Sequence, residues 1–160
     1  MDLNWVPTIS RFPGWLQACW VAWTVAGIVL FVLSVNVVAQ KLPVGKIEGP
    51  QQGQAVTRTF QVNGIISDLP QGHSLWLAIQ VGDLIWPKEP KITPTAAKWF
   101  ATISEGGSPP NGRFSVVLLA TSPSATTELE KWFRRGDFAG ISKHKIPGMT
   151  ALDEVPLKLQ

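Results

Sequence analysis

The chain has 160 residues, a net charge of +3, one cysteine and two histidines. That length holds one domain of ordinary size. Its scattered basic residues (Lys88, Lys91, Lys98, Lys131, Arg134, Arg135, Lys143 and Lys145) are not the dense stripe that nucleic-acid binding needs, and a single cysteine excludes an internal disulfide and a thiolate metal cluster.

Residues 1–14 read as a polar-aromatic tail, broken by Pro7, Pro13 and Gly14. Residues 12–40 contain no Asp, Glu, Lys or Arg, and Arg11 and Lys41 close the run. A hydrocarbon core needs roughly 20 apolar residues in a helix, and residues 20–39 supply them. The pattern predicts a transmembrane helix over 15–40. Trp5, Trp15 and Lys41 are its expected membrane-interface anchors, and the lipid bilayer is its first partner. Ala18, Ala22 and Ala26 form a small-residue stripe that can pack on another helix. Val37, Val38 and Ala39 offer the small residues of a cleavage site. The apolar run exceeds the length of a signal-peptide core, and no basic cluster precedes it, so the segment reads as an uncleaved anchor. Lys41, Lys46 and Arg58 outnumber Arg11 near the helix, which leans the following domain toward the cytoplasm.

Residues 41–53 read as a linker rich in Pro and Gly, with Ile47 as a short edge strand. Residues 54–160 form the expected folded domain. Residues 55–66 alternate, with Val56, Phe60 and Val62 on one face, and Gly64 suggests a bulge or bend. Asp68, Pro70 and Gly72 mark a turn. Residues 75–81 are apolar at both phases: Leu75, Leu77 and Ile79 on one face, Trp76 and Ala78 on the other. That is the signature of a central strand. Gly82 and Asp83 turn the chain into a short strand, 84–86, which Pro87 is expected to end. Pro87, Pro90 and Pro94 then predict an irregular basic loop.

Residues 96–103 alternate again, with Trp99 and Ile103 opposite Lys98 and Phe100. Residues 105–112 make a long loop whose glycines lack the lysine of a phosphate-binding loop. Residues 113–121 are a strong strand: Phe114, Val116 and Leu118 against Val117 and Leu119. One helix follows over 123–135. Ser122 can cap it, Pro123 suits its first position, and Arg134 and Arg135 suit its C-terminal dipole. Leu129, Trp132 and Phe133 form its apolar stripe, and Gly136 ends it. It should lie over one edge or end of the sheet. Pro147 and Gly148 turn the chain, and Val155, Leu157 and Leu159 predict a closing strand. Several short antiparallel strands with one helix define a β-sandwich.

These residues resemble a bacterial immunoglobulin-like module found in large membrane or multidomain proteins. The resemblance spans about residues 47–159. Gly53, Val62-Asn63-Gly64, Gly72 with Leu75-Trp76-Leu77, Trp86-Pro87, Trp99, Gly112-Arg113-Phe114 with Val116 and Leu118, Leu129 with Trp132-Phe133, Gly148-Met149 and Leu152 with Val155 carry it. They are packing and turn residues. The resemblance implies an immunoglobulin-like sandwich that binds or scaffolds, with no catalytic residue to transfer.

The chemistry of a site is sparse. His73 and His144 have no metal-ligand spacing partner, so neither a metal nor a cofactor is expected. No serine sits in a nucleophile elbow, and Glu128 and Glu130 diverge on their helix. Asp153 and Glu154 fall on alternate faces of a strand. The expectation is a non-catalytic, membrane-anchored sandwich that binds a protein partner. Its expected surface is the Pro-rich stretch 85–94, with Trp86, Lys88 and Lys91, or the helix face near Arg134 and Arg135, since interfaces favour Trp and Arg. Two alternatives stay open. Trp76, Trp86 and Trp99 can form a stacking platform for a carbohydrate or envelope polymer. Or the chain is a small accessory subunit of a membrane complex.

Overall fold

The computed structural model describes residues 41–136 and 138–160. The expected tail, the transmembrane helix, Trp5, Trp15, Cys19 and the alanine stripe lie outside these residues. No helix among the described residues is long and apolar enough to cross a membrane.

Among the described residues, nine strands and one α-helix follow in chain order: β1 (Val44–Gly49), β2 (Ala55–Val56), β3 (Thr59–Ser67), β4 (Ser74–Val81), β5 (Leu84–Ile92), β6 (Lys98–Ser104), β7 (Arg113–Thr121), α1 (Pro123–Arg135), β8 (Ile141–Ser142) and β9 (Met149–Leu159). They build two sheets, one ordered β1-β3-β6 and the other β2-β9-β7-β4-β5-β8. All pairings are antiparallel except β2 with β9, which run parallel. The mainly-β sandwich expected from alternation is present.

A buried cluster of Val62, Ile66, Trp99 and Ile103 from the small sheet meets Leu75, Leu77, Val116, Leu118, Val155 and Leu157 from the large one. The second cluster lies on the other face of the large sheet. There Trp76, Ala78, Val117 and Leu119 pack against Leu129 and Trp132 of α1. The domain therefore has three layers: small sheet, large sheet, helix. Strands β4 and β7 are apolar at both phases because both faces are covered.

Helix α1 spans residues 123–135, as its capping signals predict. The Ser122 hydroxyl accepts the Ala125 amide at 3.3 Å. Gly136 ends the helix in the left-handed conformation, with φ at 66°. Its placement differs from expectation. It lies across the face of the central strands, not over a sheet edge, because Trp76 and Ala78 on β4 and Val117 and Leu119 on β7 present an apolar surface there.

Three other expectations change. The expected linker 41–53 contains a six-residue strand, β1, paired with β3. The expected strand 55–66 is two strands in different sheets, separated at Thr57 and Arg58. The expected bulge falls in β1 between Ile47 and Gly49, directly opposite Gly64, which itself pairs with Trp99 in continuous register. A Cβ there would strike the Lys46 carbonyl oxygen and the Trp99 ring, so glycine gives the indole room. Trp99 Nε1 then donates to the Ile65 carbonyl at 3.1 Å.

The strand expected to stop at Trp86 continues to Ile92. It passes through Pro87 and Pro90 because β8 covers its outer side only at Leu84 and Ile85. Beyond those residues β5 is an edge, where a missing N–H forfeits no ladder bond on the open side. Pro90 lies in the irregular stretch where the β4 register shifts between Leu75 and Leu77.

Two carboxylates tie the sheets together at opposite seams. Asp153 Oδ2 on β9 accepts the Ile47 amide of β1 at 2.7 Å. Glu105, just after β6, binds Lys88 of β5 at 3.1 Å.

Candidate functional site

A groove of about 640 Å³ runs along the open edge of β5. That volume is in the range of small-molecule and side-chain pockets. The groove extends from Ile79 and Val81 at the sandwich seam to Trp132 and Phe133 at the end of α1. Its rim is made by Trp86 and Pro87, by the loop through Pro109 and Pro110, and by Phe138.

Each wall has a local cause. Phe133 and Trp132 face inward because they belong to the apolar stripe of α1. Trp132 meets Phe133 edge-on with ring centres 4.9 Å apart, and Phe133 stacks on Trp76 at 5.6 Å. After Gly136 the chain folds back over β5. Two indoles hold that return: Trp86 Nε1 donates to the Phe138 carbonyl and Trp132 Nε1 to the Ala139 carbonyl, each at 3.0 Å. Phe138 is thereby presented at the rim with 65 % of its surface exposed. Its φ of 46° is left-handed, a conformation that costs a phenylalanine about 1–3 kcal/mol and that the two anchored carbonyls enforce.

The opposite wall is tied at Glu105. One carboxylate oxygen binds Lys88 at 3.1 Å, and the other accepts the Gly107 amide at 2.6 Å. Arg58 Nη1 adds bonds to the carbonyls of Gly107 at 2.9 Å and Glu105 at 3.3 Å. The start of the glycine-rich loop is therefore fixed in place. Lys88 and Glu105 neutralise each other; Glu89 also lines the groove, and the remaining lining is mainly ring, proline, aliphatic and glycine surface. This groove suits an apolar or aromatic group arriving from outside.

The expected surface is only partly gathered here. Trp86 and Lys88 line the groove. Trp86 is half-buried and hydrogen-bonded, so it is a wall and not a free-standing anchor. Lys91 lies further along β5 and reaches Glu130 of α1 at 3.8 Å. Arg134 and Arg135 occupy the last turn of α1. Arg135 borders a second concavity of about 630 Å³ with Leu84, Lys145 and Ile146. Lys41 pairs with Asp68 at 2.9 Å.

The three-tryptophan platform does not assemble. Trp76 and Trp99 are each 2 % exposed and lie in different core clusters, on opposite faces of the large sheet. Among the described residues no three His, Cys, Asp or Glu side chains converge as a metal centre requires. Glu128 pairs with Lys131 on its own helix at 2.8 Å, and Asp153 serves β1 as described.

Phe133, Phe138, Glu105 and the Pro109-Pro110 pair are the groove residues that sequence reasoning missed. Phe138 stands alone in a loop, with no periodicity to mark it. Pro109 and Pro110 were legible only as part of the long loop 105–112.

Fold and groove together define a mainly-β class: a two-sheet sandwich with a helical third layer and an aromatic edge groove. No family model matches the chain, and no curated protein matches it.

Proposed function

We propose that the chain is a single-pass membrane protein whose immunoglobulin-like sandwich is a non-catalytic module for binding a protein partner. The observation that carries the reading is the aromatic and proline-lined groove at the β5 edge. Trp and other aromatic side chains are enriched at protein interfaces, where partners insert anchors into such pockets. Strand addition to the open edge of β5 is disfavoured, because Pro87 and Pro90 remove donors from it. The partner is gripped through a side chain. Two facing sheets packed around Val62, Trp99, Leu118 and Val155 support the immunoglobulin-like reading. The uncharged run over residues 12–40 supports the anchor, and the basic bias beyond it supports a cytoplasmic domain. Burial of Trp76 and Trp99 leaves the carbohydrate reading without its platform.

The test places a photo-crosslinking amino acid at Phe138 of the full chain in cells, with a second at Ser124 as control. A discrete adduct from position 138, absent at 124 and lost on Trp86→Phe with Glu105→Ala, supports partner binding in the groove. Identical patterns from both positions reject it. Sidedness is read separately. A cysteine at the exposed Ser108, in a Cys19→Ala background, is labelled by an impermeant thiol reagent only after lysis when the domain is cytoplasmic.

A further inference from the structure

The outer face of the small sheet carries an apolar surface with no packing partner among the described residues. Phe100 is 82 % exposed, Val44 63 % and Ile65 38 %, and Leu42, just before β1, is 80 % exposed. Alternation makes this unusual. Strands β1, β3 and β6 bury Ile47, Val62 and Trp99 inward, so their other phase should be polar. Thr59, Gln61, Asn63, Ser67, Thr102 and Ser104 keep to that rule, but between them the register sets apolar groups and lysines side by side. Lys46 pairs with Ile65, and Ile65 with Lys98, giving a Lys-Ile-Lys row across the three strands. Phe100 lies one step along, opposite Asn63. The face carries few carboxylates. Glu48 lies at the irregular end of β1, and Asp68 is already bound to Lys41.

The chain that leads into this face identifies what covers it. β1 begins at Val44, four residues after the uncharged run of residues 12–40 ends. Four extended residues span at most about 14 Å. On the reading of residues 15–40 as a membrane anchor, β1 begins within that reach of the anchor's end. We propose that the outer face of the β1-β3-β6 sheet lies on the lipid surface. Phe100 and Leu42 enter the interface, and Lys46 and Lys98 meet anionic headgroups. Exposed aromatic and aliphatic groups flanked by lysines are the composition of such interfacial contacts. The inference rests on reading residues 15–40 as the membrane anchor. With this face on the bilayer, the groove on β5 stays free for a partner.

The experiment uses the full chain with Cys19→Ala in liposomes that contain anionic lipid. An environment-sensitive fluorophore is attached at Phe100→Cys, or at Ser124→Cys on α1 as control. Nitroxide quenchers are carried near the lipid headgroups, and flotation reports membrane attachment. The expected result is a blue shift and quenching at position 100, with neither at 124. The double variant Lys46→Glu, Lys98→Glu should lose the quenching in anionic lipid. Flotation without quenching at position 100 overturns the face contact and leaves the anchor standing. A chain that does not float removes both. A blue shift that grows with protein density and resists the lipid quencher assigns the face to a second copy and also overturns the proposal.

Discussion

Glu105 holds Lys88 across the seam between the two sheets at 3.1 Å, with both side chains largely withdrawn from water. The other oxygen of the same carboxylate fixes the Gly107 amide, so one residue closes the sandwich and shapes a wall of the groove. Glu105→Ala leaves a half-buried ammonium and a loose loop. It is expected to cost about 1–3 kcal/mol of stability, more than Lys88→Met. A double-mutant cycle of the two, read by urea unfolding in micelles, should show coupling of about 0.5–3 kcal/mol. Simple additivity of the two changes argues against the pairing.

Gly64→Ala introduces a Cβ into space taken by the Trp99 ring and the Lys46 carbonyl. The expected loss is about 1–3 kcal/mol from overpacking. Adding Trp99→Leu should not recover it, because the Lys46 carbonyl still blocks the Cβ and the lost indole leaves a cavity. Thermal unfolding of the single and double variants measures this. An unchanged transition in Gly64→Ala counts against the packing described.

The two aromatic residues at the end of α1 should separate structure from binding. Trp132 is 5 % exposed, and Trp132→Ala is expected to cost about 3–5 kcal/mol. Phe138 is mostly exposed and meets Trp132 only edge-on at 6.1 Å. Phe138→Ser should cost no more than about 1.5 kcal/mol, the upper value of an aromatic pair. It should nevertheless reduce crosslinking of a partner from a probe at Ser108. Retained crosslinking in that variant removes Phe138 from the site.

A pH dependence is expected where β1 begins. The hydrogen bond from Lys41 holds the Asp68 carboxyl below its ordinary value of 3.8, outweighing some loss of hydration. A depressed carboxylate pKa contributes stability that is present above the unfolded value and lost as pH falls through the folded one. The Lys41–Asp68 tie should therefore persist at neutral pH and open only in acid below the usual aspartate range. Carboxyl carbon shifts followed through a titration read the midpoint. Lys41→Gln should move it upward, and an unmoved midpoint rejects the assignment.

The Ser122 cap gives a simpler check. Ser122→Ala removes the acceptor for the Ala125 amide and should cost about 1 kcal/mol, with Ser122→Asp restoring it. Equal stability of all three proteins in chemical unfolding would falsify the capping role.

Much of the fold was legible because local periodicity and end signals are local physics. Ser122, Pro123 and Gly136 bound α1 without help from any distant residue. Apolar residues at both phases of 75–81 marked β4 as a central strand. The strand through Pro87 and Pro90 was not legible. Proline is a breaker by its own chemistry, and only the open edge beyond Ile85 makes it tolerable. The split between β2 and β3 likewise depends on β9, a hundred residues away, which takes Ala55 and Val56 as a parallel pair. Of the residues named for a binding surface, Trp86 and Lys88 line the groove, whereas Arg135 borders a different concavity.

The sequence alone determined the mainly-β class, the helix and its limits, the central strands, and the uncharged run that argues for a membrane anchor. These follow from alternation, capping and hydropathy, which act within a few residues. Tertiary structure decided which tryptophans are core and which is wall. It placed α1 over the sheet face, left Phe100 outside, and brought Glu105, Phe138 and Trp86 around one groove. Those outcomes depend on contacts between residues tens of positions apart, and such contacts leave no period in the chain.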